Sequence, residues 1–186
     1  MLISTTALSW GQFITPIAYT ASPGGVGTFT YFDESGSQLT DGILGLDDWT
    51  ADLGNGNAFE WVGWTTPAPA ITFTFSGNPT IQTVLIGFNR SEATGAIFLP
   101  LTVTIGGVEF ALSGSELVDG TRGFLTFSGP WTGNTLQIDM AERGAFTFVD
   151  EIRFSPTGIP EPATWTLLAL GCALLALSRR ETKLHV

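Results

Sequence analysis

The chain has one histidine, His185, and one cysteine, Cys172, and both stand near its C-terminus. A Ser-His-Asp or Cys-His arrangement in the preceding sequence is therefore excluded, and so is a zinc site built on His and Cys. A lone cysteine also rules out an intramolecular disulfide. Basic residues are scarce. Up to Glu161, sixteen Asp and Glu face only four Arg, which leaves that portion at about −12. A field of this sign repels nucleic acid and anionic lipid headgroups, and it suits solubility and cation binding. Helical patterning is missing too: no apolar stripe of helical period appears before residue 160. The run Gly24-Gly25-Val26-Gly27 opens no helix and carries no lysine, so it is no phosphate cradle.

One long uncharged run is present, at residues 163–178, with apolar side chains on every face of a helix. Such a helix needs lipid or a deep core to bury it. Pro160 and Pro162 mark its start, and Arg179 and Arg180 stop it on the side that favours the cytoplasm. At the helical rise it spans roughly 24 Å against a hydrocarbon core of about 30 Å, which suffices if the arginines snorkel and Trp165 sits in the opposite headgroup layer. The expectation is a transmembrane helix with residues 1–162 outside. A C-terminal helix buried in a soluble domain is the alternative; a removable lipid-anchor signal fits less well, because the chain continues through Arg-Arg-Glu-Thr-Lys.

Pro160-Glu161-Pro162, the apolar run and the Arg179-Arg180 cluster resemble the PEP-CTERM sorting signal of bacterial surface proteins. The resemblance implies recognition by an exosortase, a membrane-embedded processing enzyme, with this chain as its substrate. It places the domain on the periplasmic or extracellular side of the inner membrane in transit, and then at the cell surface or in the extracellular matrix. Residues 1–22 show no basic n-region, and their apolar letters are interrupted. Either the true start lies upstream and residues 2–10 form a first strand, or the C-terminal helix itself directs insertion. Residues 1–26 are accordingly set apart as an N-terminal segment, 27–156 as the domain and 157–186 as the sorting signal.

Between these ends, short alternating runs are punctuated by Gly, Asn, Pro and Ser, the pattern of an antiparallel sandwich. Residues 27–32 read as a strand. Phe59, Trp61 and Gly63 share one side of the next. Ile71, Phe73 and Phe75 alternate with Thr72, Thr74 and Ser76. Gly106-Gly107 is a two-residue hairpin signal between 101–105 and 108–112. Strands over 81–88, 124–127, 136–140 and 146–154 complete eight to ten. On the last, the parity of Phe146, Phe148, Ile152 and Phe154 places Asp150 on an apolar face unless a bulge intervenes. Such an acid is either paired or coordinating, with Arg153 or a cation as candidates, or the strand kinks and Glu151 turns inward; the alternative is a solvated acid at a sheet end.

Leu39-Thr40-Asp41-Gly42, the Ile-Thr-Phe-Thr-Phe run at 71–75 and Asp150-Glu151-Ile152-Arg153-Phe154 resemble the galactose-binding-like jelly roll of discoidin-type and carbohydrate-binding modules. That resemblance implies an all-β sandwich and a structural calcium near Asp41 and Glu151. Ile43 stands where the family places a further polar ligand.

Five aromatics, Trp49, Trp61, Trp64, Phe98 and Trp131, fall in or beside predicted loops and strand ends, where a ring can shield the apolar face of a sugar. Two or three of them are expected in the core; Trp64 and Trp131 are the candidates for ligand contact. Asp47 with Asp48, and Asp41 with Glu151, are the carboxylate pairs from which a glycosidase could be built, but adjacent acids in a Gly-rich loop are more often solvated or calcium-binding. The reading is therefore a non-enzymatic, exported surface or matrix protein whose sandwich binds exopolysaccharide. A structural or adhesive protein without a defined ligand is the alternative, with a carboxylate-dependent glycosidase behind it.

Overall fold

Alternating side chains on a strand point to opposite faces, so each run above can bury one face only by meeting another sheet. A computed structural model describes residues 13–22, 31, 33, 35–51, 60–65 and 69–156. They hold nine strands: β1 (Ala18–Ser22), β2 (Val62–Trp64), β3 (Ala70–Thr74), β4 (Thr80–Arg90), β5 (Thr102–Ile105), β6 (Val108–Ala111), β7 (Thr121–Thr132), β8 (Thr135–Ala141) and β9 (Thr147–Ser155). Strands β1-β3-β8-β5-β6 form one sheet and β2-β9-β4-β7 the other. Every strand pairing is antiparallel. The only helical pieces among the described residues are a four-residue helix at Glu92–Gly95 and a 3-10 turn at Gln38–Thr40.

The expected alternation is realised on β3, where Ile71 and Phe73 are fully buried and the threonines between them are not. These side chains meet Val84, Ile86 and Phe88 of β4 and Val149, Ile152 and Phe154 of β9 in one core between the sheets. Phe154 stands edge-on to both Phe73 and Phe75, at 4.9 and 5.0 Å between ring centroids. Burying each such side chain is worth about 1.5–3 kcal/mol, and this core is the main stabilising term. The Gly106-Gly107 hairpin forms as expected: both residues have positive φ, 54° and 84°, the combination that a two-residue turn of this hand requires.

Strand β1 was not foreseen. It lies inside the segment set apart as 1–26, yet it pairs with β3 over its whole length. Just before it, the Ile14 amide donates to the Phe154 carbonyl at 2.7 Å and the Ile17 amide to Thr74 at 2.8 Å, so the incoming chain bridges the two sheets. The strands expected over 2–10 and, apart from Tyr31, over 27–32, and the C-terminal helix with its sorting motif, lie outside the described residues. Among the described residues no helix is long and apolar enough to cross a membrane.

The bulge anticipated on the last strand is present. Ile86 pairs with Ile152 and Phe88 with Val149, so Asp150 and Glu151 together oppose the single residue Gly87. The extra residue restores Val149, Ile152 and Phe154 to the core and turns both acids to the outer face of the four-stranded sheet. Asp150 is fully buried there, and the side chain that pairs with it is Arg122, not Arg153. Arg122 Nε and Nη2 donate to Asp150 Oδ2 and Oδ1 at 2.8 and 3.1 Å. Gly87 makes room for this pair: a methyl group at that position would collide with Asp150 Oδ1 and stand 2.6 Å from Arg122 Nη2. Gly87→Ala should therefore displace the ion pair at a cost of about 3 kcal/mol or more, read as a lowered melting temperature. An unchanged melting temperature would contradict this placement of the pair.

Candidate functional site

A strap of chain, residues 41–51, runs over the outer face of the four-stranded sheet, and the two acids of the bulge hold it down. The Gly42 amide donates to Glu151 Oε2 at 3.0 Å and the Gly45 amide to Asp150 Oδ2 at 2.8 Å. Further along, Asp47 Oδ1 accepts the Arg122 amide at 2.7 Å, and the Asp47 carbonyl accepts Asn89 Nδ2 at 3.1 Å. Gly42, at φ 84°, makes the tight entry, and Gly45 passes so close to the Trp61 indole that any Cβ there would collide with it. On the same outer face, Trp61, Ile97 and Phe148 form a second, smaller core flanked by Tyr31, Trp49 and Phe146. This is the covered face expected for Trp61 and Gly63, and its cover is the strap.

Between the start of the strap and the incoming chain lies a groove of about 340 Å³ lined by Phe13, Pro16, Asp41, Gly42, Glu151 and Arg153, among others. Phe13 is 41% exposed. The Arg153 guanidinium lies 5.5 Å from the Phe13 ring and 5.1 Å from the Phe124 ring, while Arg122 covers Phe124 at 4.0 Å. Arg153 Nε donates to Glu151 Oε1 at 3.2 Å, which leaves the rest of its N–H fork for other partners. Asp41 is exposed at the rim and, among the described residues, accepts from another residue only the Ile43 amide, at 2.8 Å.

Burial pushes the Glu151 carboxyl above the ordinary range, and the nearby Asp41 charge adds to this against the pull of the Gly42 amide and Arg153. Asp41 is raised as well, by desolvation and then by the charge of Asp33. For Asp150 burial outweighs Arg122 and the Gly45 amide, and the shift is again upward.

The structure thus brings together Asp41 and Glu151 but gives them protein partners. The two residues do not fit a calcium ion as drawn: the Glu151 oxygens already face a guanidinium and an amide, Ile43 offers no side-chain oxygen, and no cluster of three or more His, Cys, Asp or Glu suited to a metal occurs among the described residues. Asp47 and Asp48 serve the strap instead, Asp48 by accepting the Thr50 amide and hydroxyl.

Trp64 and Trp131, expected at strand tips, are only 4% and 7% exposed and belong to the core between the sheets. They fall on the inward parity of β2 and β7. The Trp131 indole N–H is used by the Ile105 carbonyl at 2.8 Å, and its edge lines a second groove of about 360 Å³ with Pro130, Gly106 and Gly133. With Trp61, three of the five candidate aromatics are buried, and Trp49 and Phe98 are half-buried. Phe13, Arg122, Phe124 and Arg153 were not singled out as site residues, since their meeting depends on three separate segments.

No family model matches the chain, and no curated protein matches it. Solved structures similar to it include the CBM32 of AlyQ in complex with 4,5-unsaturated mannuronic acid, at 14% identity and TM-score 0.49, covering 77% of this chain and 97% of that one. A Streptococcus pneumoniae fucose binding module matches at 13% identity and TM-score 0.48, over 79% of this chain and 96% of that one. The family 32 CBM from C. perfringens NanJ in complex with galactose matches at 14% and 0.43, over 76% and 96%. Overlaps of this quality leave function to be read from the chain's own groove. One property of that groove is directly measurable. Because Asp41 and Glu151 have raised pKa values in the fold, their contribution to stability is complete below the ordinary 3.8 and 4.5 and is lost as pH rises through the raised values. The melting temperature should fall as pH is raised above that range, and Asp41→Asn should flatten the slope; a slope unaltered in the variant would refute the assignment.

Proposed function

We propose that the sandwich is a sugar-binding domain carried to the cell surface or matrix by its C-terminal segment, and that it is not an enzyme. The observation that carries the binding reading is the groove beside the strap. It sets an exposed ring at Phe13, a guanidinium with open N–H groups at Arg153 and an exposed carboxylate at Asp41 around one space of about 340 Å³. An aromatic face covers the apolar side of a pyranose, and fixed donors and acceptors order its hydroxyls. The neighbouring folds described in complex with galactose and with an unsaturated mannuronic acid are consistent with this use of such a sandwich, although they locate no site here. The carboxylate pair offers little to a hydrolase, because Glu151 is committed to the Gly42 amide and to Arg153.

The address is supported by the sequence itself: Pro160-Glu161-Pro162, sixteen uncharged residues and Arg179-Arg180 in that order. An exosortase is the partner this reading names, and exopolysaccharide the ligand source. Phe13→Ala should weaken binding on a glycan array about tenfold, with the fold intact by circular dichroism, whereas Trp64→Ala and Trp131→Ala should lower stability first. Binding unaffected by Phe13→Ala and Arg153→Ala would remove the groove from consideration. Intact-mass analysis of membrane and secreted fractions from the producing cell should find the chain cut near Pro162; a full-length chain in every fraction would refute the sorting.

A further inference from the structure

The charges around the groove define the class of sugar it accepts. Arg153 is the cation of the lining, and it already lies 3.2 Å from Glu151, so its charge is answered inside the protein. Asp41 has no such answer: it stands exposed at the rim, and the charge of another residue that acts on it is the carboxylate of Asp33. The lining therefore carries an excess negative charge, within a chain of net charge −10. A uronate reaching the open N–H groups of Arg153 would meet a guanidinium whose charge Glu151 already offsets, while approaching the carboxylate of Asp41.

We propose that the groove binds uncharged glycans and excludes uronic-acid polymers, an inference that rests on the sugar-binding reading above. A hydroxyl is both donor and acceptor, whereas a carboxylate only accepts and a guanidinium only donates. Asp41 and Arg153 thus offer the groove an acceptor and a donor, which the hydroxyls of a neutral pyranose satisfy without any net charge. Phe13, with Arg153 on one side of its ring and 41% of its surface open, supplies the apolar platform. A free ammonium would gain at Asp41 but, being a donor only, could not accept from Arg153 as a hydroxyl does, so the two groups together favour hydroxyls. The same asymmetry sets the salt response: repulsion of an acidic polymer is screened by added salt, and binding of a neutral one is not.

The test uses the full chain in detergent and three probes of equal length: a neutral galacto-oligosaccharide or dextran oligosaccharide, an oligogalacturonate and a chitosan oligosaccharide, titrated calorimetrically at low and high salt. The expected result is binding of a neutral probe with little salt dependence, and discrimination against oligogalacturonate of about tenfold at low salt. Asp41→Asn keeps an oxygen for the Ile43 amide and should narrow that discrimination while weakening neutral binding. Preferential binding of oligogalacturonate or of chitosan, weakening as salt is added, would overturn the inference and leave sugar binding standing. Failure of every probe to bind, or binding indifferent to Phe13→Ala, would instead overturn sugar binding at this groove.

Discussion

Two consecutive acids on a buried strand set the conditions for everything around the groove. Asp150 and Glu151 can both face outward only because a bulge opposes them to the one residue Gly87, and only because Gly87 has no side chain to contest the space. A lone carboxylate buried to the degree of Asp150 is costly, and the cost is offset by two bonds from Arg122 and one from the Gly45 amide. Each of those partners comes from a different element. The ion pair and the Gly45 bond therefore tie β7, β9 and the strap into one arrangement, and removing Arg122 leaves a buried charge unanswered.

The strap inherits its course from the bulge. With Gly42 anchored on Glu151 and Gly45 on Asp150, the intervening chain has little freedom, and Gly45 is pressed against the Trp61 indole. Asp33 fixes the approach to the strap by accepting the Ser35 hydroxyl and the Gly36 amide, and the Tyr19 hydroxyl donates to the same carboxylate while accepting the Leu39 amide. Burial and the bond to Asp33 hold the Tyr19 hydroxyl well above its ordinary pKa, so it stays a donor. One wall of the groove is thus held by hydrogen bonds and charge, while the other, Phe13 to Pro16, is held by backbone bonds to β9 and β3. A site assembled from such restrained parts loses little freedom when a ligand enters.

The placement of the tryptophans follows the same physics. A large ring with one N–H is stabilised most by the interior, provided that the N–H has a partner, and Trp131 has one in Ile105. Trp64 lies in the same core and Trp61 in the smaller one, both with the indole N–H unpaired among the described residues, so there the burial of the ring outweighs the lost hydrogen bond. The exposed ring beside the groove is instead a phenylalanine, Phe13, a residue that reading for tryptophan in loops does not find.

Composition and periodicity were enough to determine the class of fold. Alternation at 71–75, the Gly106-Gly107 turn and the parity conflict at Asp150 each follow from local geometry, because a strand has a period of two and a hairpin needs two positive φ angles. Scarcity of His and Cys likewise removed whole reaction classes without any coordinates. Which cation answers Asp150 was beyond local reasoning: Arg153 is nearer in sequence, yet Arg122, from a strand two places away in the sheet, is the one that reaches across Gly87. Strand β1 was illegible for a related reason, since its small residues gain their order from pairing with β3. Local patterning decides which face of a strand is apolar; only the packing of distant segments decides which charges meet, and the groove is made of such meetings.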